Sequence, residues 1–168
     1  SGMNVRQVEA LAYREKPGLL ILDHLGLLEP PEARLSLYEA TTRNSRALKL
    51  LALRLNIPVL CLCQLNRAAA SDRSGSFRAT MANLRESGAI EQDADLVAFI
   101  DRPAMYGAQM ITTTRYGLIS SEGVGVLHIA KNREGAIGRI YFRHNESLTR
   151  ITDYENTAAD TTGEAEPF

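Results

Sequence analysis

The chain has 168 residues (18.5 kDa), 45% hydrophobic and 23% charged, the size and balance of one ordinary folded domain, which excludes wholesale disorder. No apolar run approaches the roughly 18 residues that a membrane span needs, and Ser1-Gly2-Met3-Asn4 is no signal peptide. The net charge of −1 hides an acidic end holding Asp153, Glu155, Asp160, Glu164 and Glu166, which leaves residues 1–151 with 19 basic and 15 acidic groups.

Residues 4–15 read as a helix capped by Asn4, with Val5, Val8, Leu11 and Ala12 at helical spacing and Pro17-Gly18 ending it. Leu19-Leu20-Ile21-Leu22 is a solid aliphatic run closing on Asp23, the pattern of a parallel strand buried on both faces. After Pro30-Pro31 the spacing predicts a long helix over 32–55, with Leu48, Leu51, Ala52 and Leu55 on one face. A second buried strand follows over Val59–Cys63, ending at Gln64. Strand, helix and strand form a βαβ unit whose strands run parallel through a right-handed crossover.

Residues 66–79 read as a loop, 81–93 as a short helix interrupted near Gly88, and 95–100 as a third buried strand. Residues 102–121 read as an irregular insertion. Val124–Ala130 and Arg139–Arg143 read as paired strands around the Glu134-Gly135 turn. The expected organisation is one domain over 1–151 and an acidic, disordered tail over 152–168.

The two cysteines, Cys61 and Cys63, share one face of the second strand and lack further metal ligands nearby. They read as small core side chains in a reducing compartment, which points to the cytoplasm. Sixteen of the nineteen cations are arginine, suited to bidentate phosphate contacts but also a product of genome base composition. Met3 behind Ser1-Gly2 reads as a chosen start, so the chain is expected to be a piece of a longer protein.

Open α/β sheets bind ligands outside the carboxyl ends of their strands. Asp23 falls at that edge. An aspartate closing a buried strand serves as a Walker B carboxylate holding Mg²⁺ beside nucleotide phosphates, or as a turn former or helix cap. Gln64 closes the next strand, where an amide can sense a γ-phosphate or serve as an ordinary loop residue. Lys131 and Arg133, two apart, leave one face of an extended segment; such cations are either solvated or reach an anionic ligand.

The longest informative stretch is Leu84-Arg85-Glu86-Ser87-Gly88-Ala89-Ile90-Glu91-Gln92-Asp93-Ala94-Asp95. Together with Leu22-Asp23, Cys63-Gln64-Leu65-Asn66-Arg67 and Ile129-Ala130-Lys131-Asn132-Arg133-Glu134-Gly135, it resembles the C-terminal motor domain of the DnaB-type replicative hexameric DNA helicases, over residues 19–151. The resemblance implies an α/β fold of the RecA-like P-loop NTPase kind: a truncated core, a mostly parallel sheet flanked by helices, and a C-terminal β-hairpin. It implies ATP and Mg²⁺ as cofactors and single-stranded DNA as partner. It also implies a homo-oligomeric, hexameric ring, with a primase and a helicase loader as further partners, and no membrane.

Under this resemblance Asp23 is the Walker B aspartate and metal ligand, and Gln64 the γ-phosphate sensor. Arg85, Glu86 and Gly88 lie in the DNA-facing loop, where arginine and backbone amides grip phosphates of any sequence. Lys131 and Arg133 act in trans on the nucleotide of a neighbouring subunit, with Arg133 the arginine finger.

The chain also departs from the family. None of its three lysines, Lys16, Lys49 and Lys131, follows a glycine, so it holds no Walker A motif. After Asp23 the family shows Tyr-Leu-Gln where this chain has His24-Leu25-Gly26. The isolated chain is therefore expected to be inactive, as the second half of a helicase motor. The alternative is a catalytically dead RecA-like assembly or partner-binding module. A recombinase or clock-type ATPase is a weaker third reading, disfavoured by the 84–95 match.

Overall fold

The computed structural model describes residues 2–30, 32, 34–65, 81, 88–145 and 149–155. The chain divides into two units, one of residues 1–67 and 81–95, the other of 68–80 and 96–168.

In the first unit, helix α1 (Val5–Glu15) starts where Asn4 Oδ1 accepts the Gln7 N–H at 3.0 Å and Gln7 Oε1 accepts the Asn4 N–H at 2.9 Å. This reciprocal capping satisfies two N–H groups that a helix start otherwise leaves unpaired. Strand β1 (Leu20–Leu22) leads to a short 3₁₀ helix over Leu25–Leu27 and then to α2 (Leu37–Leu55). Helix α2 begins at Leu37, later than the expected Glu32, because Ser36 and Glu39 form a second capping box there. Strand β2 (Val59–Cys61) lies parallel to β1, pairing Leu20 with Val59, Ile21 with Leu60 and Leu22 with Cys61.

Val5, Val8, Leu25, Leu48 and Leu51 form the core of this unit, with Leu20, Leu22 and Cys61 packed against it. Only one face of β1 and β2 enters that core, since Ile21 is 59% and Leu60 51% exposed. The expected burial on both faces is therefore not met among the described residues. Cys61 is half-buried and packs as expected, whereas Cys63 is exposed.

Helix α3 (Gly88–Asp93) is tied to α2 by polar contacts. Ser45 Oγ donates to Asp93 Oδ2 at 3.0 Å, Arg46 Nη1 donates to Asp93 Oδ1 at 3.2 Å, and Lys49 pairs with Asp95.

The second unit is antiparallel. Its four-stranded sheet has the order β3 (Leu96–Asp101), β6 (Val124–Asn132), β7 (Gly138–Asn145), β8 (Arg150–Asp153). The expectation of a mostly parallel sheet is corrected here: β3 pairs antiparallel with β6, and β1–β2 is the single parallel pair among the described strands. Strand β3 buries Val97, Phe99 and Asp101 and exposes Leu96, Ala98 and Ile100. Its outer face is apolar too, so the sequence shows no alternation that would mark an antiparallel strand. The expected hairpin over 124–143 is present, as the middle pair of this sheet.

The region expected to be irregular folds into a hairpin, β4 (Met110–Thr113) with β5 (Gly117–Ser120). Thr113 Oγ1 closes its turn, accepting the Tyr116 N–H at 2.8 Å and donating to the Gly117 carbonyl at 3.0 Å. Ile111, Ile119, Val124, Val126, Tyr141 and Tyr154 form the core of this unit. The expected domain end at Ile151 falls inside β8, and Tyr154 is buried beyond it; residues 156–168 lie outside the described residues.

Candidate functional site

The parallel pairing of β1 and β2 brings the ends of both strands to one edge. The Leu62 N–H donates to the Leu22 carbonyl, and the Leu25 N–H donates to the Leu62 carbonyl, both at 2.9 Å. These bonds stitch together the two segments that leave the sheet. Asp23 follows β1 directly and Gln64 follows β2 by three residues; both are exposed. A carboxylate and an amide thus emerge from neighbouring strands on the edge where open α/β sheets hold ligands.

The peptide joining Asp23 to His24 is cis. His24 Nδ1 accepts the Gly26 N–H at 3.1 Å and caps the 3₁₀ helix. A Cβ on Gly26 would lie 3.0 Å from His24 Cε1. His24 and Gly26 therefore fit each other, since a larger side chain at 26 would press on the imidazole.

The thiols of Cys61 and Cys63 lie beside this edge. A hydrogen bond between them pulls the Cys63 thiol below the usual cysteine range and, with burial, pushes Cys61 far above it. Cys63 is accordingly the more readily ionised of the two.

Lys131 and Arg133 belong to the second unit. Lys131 lies in β6 opposite Val97 and is half-buried, and Arg133 lies just past the strand and is exposed. Among the described strands β6 pairs with β3 and β7 and not with β1 or β2, so Lys131 and Arg133 belong to a different sheet from the strands that Asp23 and Gln64 follow. Gly88 is the first residue of α3, with open space where a Cβ would stand. Arg85 and Glu86, the other two residues expected in a DNA-facing loop, lie outside the described residues.

Among the described residues no group of three or more His, Cys, Asp or Glu is placed to hold a metal ion. Asp23 alone suits Mg²⁺ in a nucleotide site, where the ion takes one or two carboxylates and fills its other positions with water and phosphate oxygens. The donor set therefore fits Mg²⁺ bound with a nucleotide and does not fit a resident metal held by protein alone.

Sequence reasoning passed over Asn132, Ser45 and Asp93. The Asn-x-Glu-Gly run at 132–135 carries the signature of a side chain bonding its own backbone two residues on. Nothing local marks Ser45 or Asp93, whose contact spans 48 residues.

The solved structures that the chain resembles define its class. It aligns with the ATPase domain of one solved protein at a TM-score of 0.79 and 27% identity, covering 92% of this chain and 52% of that one. It aligns equally, at 0.79 and 28% identity, with a DnaB-like replicative helicase solved in a study of its interactions with primase, covering 92% of this chain and 36% of that one. These are helicase ATPase domains of the RecA-like type.

The family model described as the DnaB-like helicase C terminal domain matches residues 2–153, and the chain belongs to that family. The replicative DNA helicase DnaB of Haemophilus influenzae is 36% identical over 150 residues, covering 88% of this chain and 30% of that protein. That of Pasteurella multocida is 36% identical over 156 residues, covering 90% and 31%. A probable plasmid replicative DNA helicase of Chlamydia psittaci is 32% identical over 146 residues, covering 86% and 29%. The chain thus spans under a third of the length of these relatives.

Proposed function

We propose that the chain supplies the second half of the motor domain of a replicative DNA helicase, which couples ATP hydrolysis to translocation on single-stranded DNA and to duplex unwinding. The observation that carries this reading is the emergence of Asp23 and Gln64 at one edge of the parallel β1–β2 pair, in a chain of the DnaB-like family.

In this reading Asp23 positions Mg²⁺ beside the β- and γ-phosphates, and Gln64 hydrogen-bonds the γ-phosphate and registers its loss. Arg85, Glu86 and Gly88 belong to the DNA-facing loop, where contacts to phosphates grip any sequence. Lys131 and Arg133 neutralise charge that builds on the γ-phosphate of a neighbouring subunit in a hexameric ring. The primase studied with the DnaB-like relative, and a helicase loader, are partners of the complete subunit, which works in the cytoplasm. The sequence holds no Gly-Lys-Ser/Thr, so hydrolysis requires a phosphate cradle from other polypeptide.

The test is ATP hydrolysis by the complete subunit with and without single-stranded DNA. Wild type is stimulated by DNA, and Asp23→Asn loses Mg²⁺-dependent hydrolysis. Arg85→Ala weakens DNA binding and flattens its salt dependence by about one unit in the log–log slope. An Asp23→Asn subunit that still hydrolyses ATP would overturn the assignment. The lack of a Gly-Lys-Ser/Thr favours one competing reading, a RecA-like module used only for assembly. That reading is sustained if the coding sequence upstream carries a stop codon and no such motif.

A further inference from the structure

We propose that Asn132 and Gly135 form a lock that sets the direction of Arg133, making Asn132 a positioning residue for the trans-acting arginine; this rests on the helicase reading above. Arg133 leaves the end of β6 and is exposed, in a connection of five residues before β7 begins at Gly138. A finger acts only when its guanidinium reaches the transferring phosphoryl group, so the backbone that carries it must hold one direction.

The Asn132 side chain constrains this connection from both sides. Its Oδ1 accepts the Glu134 N–H at 3.4 Å, and its Nδ2 donates to the Ala136 carbonyl at 3.2 Å. One amide therefore ties down the peptide immediately after Arg133 and the carbonyl three residues beyond it. Gly135 makes room for that amide. A Cβ there would lie 2.6 Å from Asn132 Nδ2, so the amide would have to move from its place.

On the other side of the motif, the β3–β6 register shifts between Val97 and Ala98. Lys131 lies opposite Val97 and Ile129 opposite Ala98, leaving Ala130 as the extra residue. Bulges of this kind re-aim the side chains that follow them. The bulge and the amide lock thus bracket Lys131-Asn132-Arg133.

The experiment measures DNA-stimulated ATP hydrolysis by the complete subunit carrying Asn132→Ala, Gly135→Ala or both. Asn132→Ala should lower kcat about tenfold with KM for ATP within about twofold, because a finger acts mainly in the transition state. Gly135→Ala should lower kcat comparably by pushing the amide aside. The double variant should be no worse than Asn132→Ala alone, since no amide remains to collide with the new methyl group. Asn132→Asp keeps the acceptor for the Glu134 N–H and loses the donor to Ala136, so it should fall between wild type and Asn132→Ala.

In the 168-residue chain, amide exchange of Glu134 should quicken in Asn132→Ala with the melting temperature unchanged. Full kcat in Asn132→Ala or Gly135→Ala, or losses that multiply in the double variant, would overturn the lock. A wild-type subunit without hydrolysis would instead overturn the helicase reading; the lock then stands if Glu134 exchange quickens and falls if it does not.

Discussion

Ser45 Oγ donates a hydrogen bond of 3.0 Å to Asp93 Oδ2, joining the middle of α2 to the last residue of α3. Ser45 is buried and the Asp93 side chain is only 11% exposed, while Arg46 approaches the other carboxylate oxygen from solvent. Asp93→Ala leaves a buried hydroxyl without its acceptor and should destabilise the chain by about 1–3 kcal/mol. Arg46→Ala should cost under about 1 kcal/mol, because the guanidinium is mostly exposed. Urea unfolding of both variants checks the order, and equal losses would contradict it.

Leu51 and Ile21 test which face of the parallel pair is packed. Leu51 has no exposed surface and lies in the core beside Leu20 and Leu22. Leu51→Ala should cost about 2–5 kcal/mol through lost burial and the cavity left behind. Ile21→Thr, on the opposite face, should change stability by less than about 0.5 kcal/mol. Thermal denaturation of the 168-residue chain distinguishes the two sites.

The cysteine pair should react unequally. The hydrogen bond from Cys61 favours the Cys63 thiolate, whereas the same bond and burial hold Cys61 protonated. Iodoacetamide at mildly alkaline pH should alkylate exposed Cys63 about tenfold faster than Cys61. Raising the pH should increase the Cys63 rate first, and Cys61→Ala should slow Cys63 by removing its donor. Peptide mass mapping reads both rates, and equal labelling would contradict the assignment.

The start of α2 should weaken in acid. The Ser36 hydroxyl, then the Ser36 N–H, hold the Glu39 carboxyl below its usual range. Because the folded value is lowered, this contribution is present above the unfolded glutamate pKa and is lost as pH falls through the folded one. Helicity followed by circular dichroism should therefore drop in acid for wild type and more weakly for Glu39→Gln.

The sequence made the βαβ unit legible because continuous aliphatic runs mark β1 and β2, and the spacing of Leu48, Leu51 and Leu55 marks α2 between them. Asp23 and Gln64 followed, since strand ends fix where polar residues emerge. The direction of β3 was hidden because Leu96, Ala98 and Ile100 are apolar on an exposed face. The β4–β5 hairpin was hidden because the polar run Thr112-Thr113-Thr114-Arg115 reads as loop, although Thr113 itself closes the turn. Ser36 and Glu39 carry the three-residue spacing of a capping box, whereas the expected helix begins directly after Pro30-Pro31. The Ser45–Asp93 contact is tertiary, and no local pattern encodes it.

The most direct measurement of the central claim mixes two inactive forms of the complete subunit, Asp23→Asn and Arg133→Ala, and follows ATP hydrolysis on single-stranded DNA. If Asp23 serves its own subunit's nucleotide and Arg133 the neighbour's, equal mixing rebuilds intact sites and restores about a quarter of wild-type activity. Mixed subunits that stay as inactive as either parent would contradict the assignment of the two residues to opposite sides of a shared site.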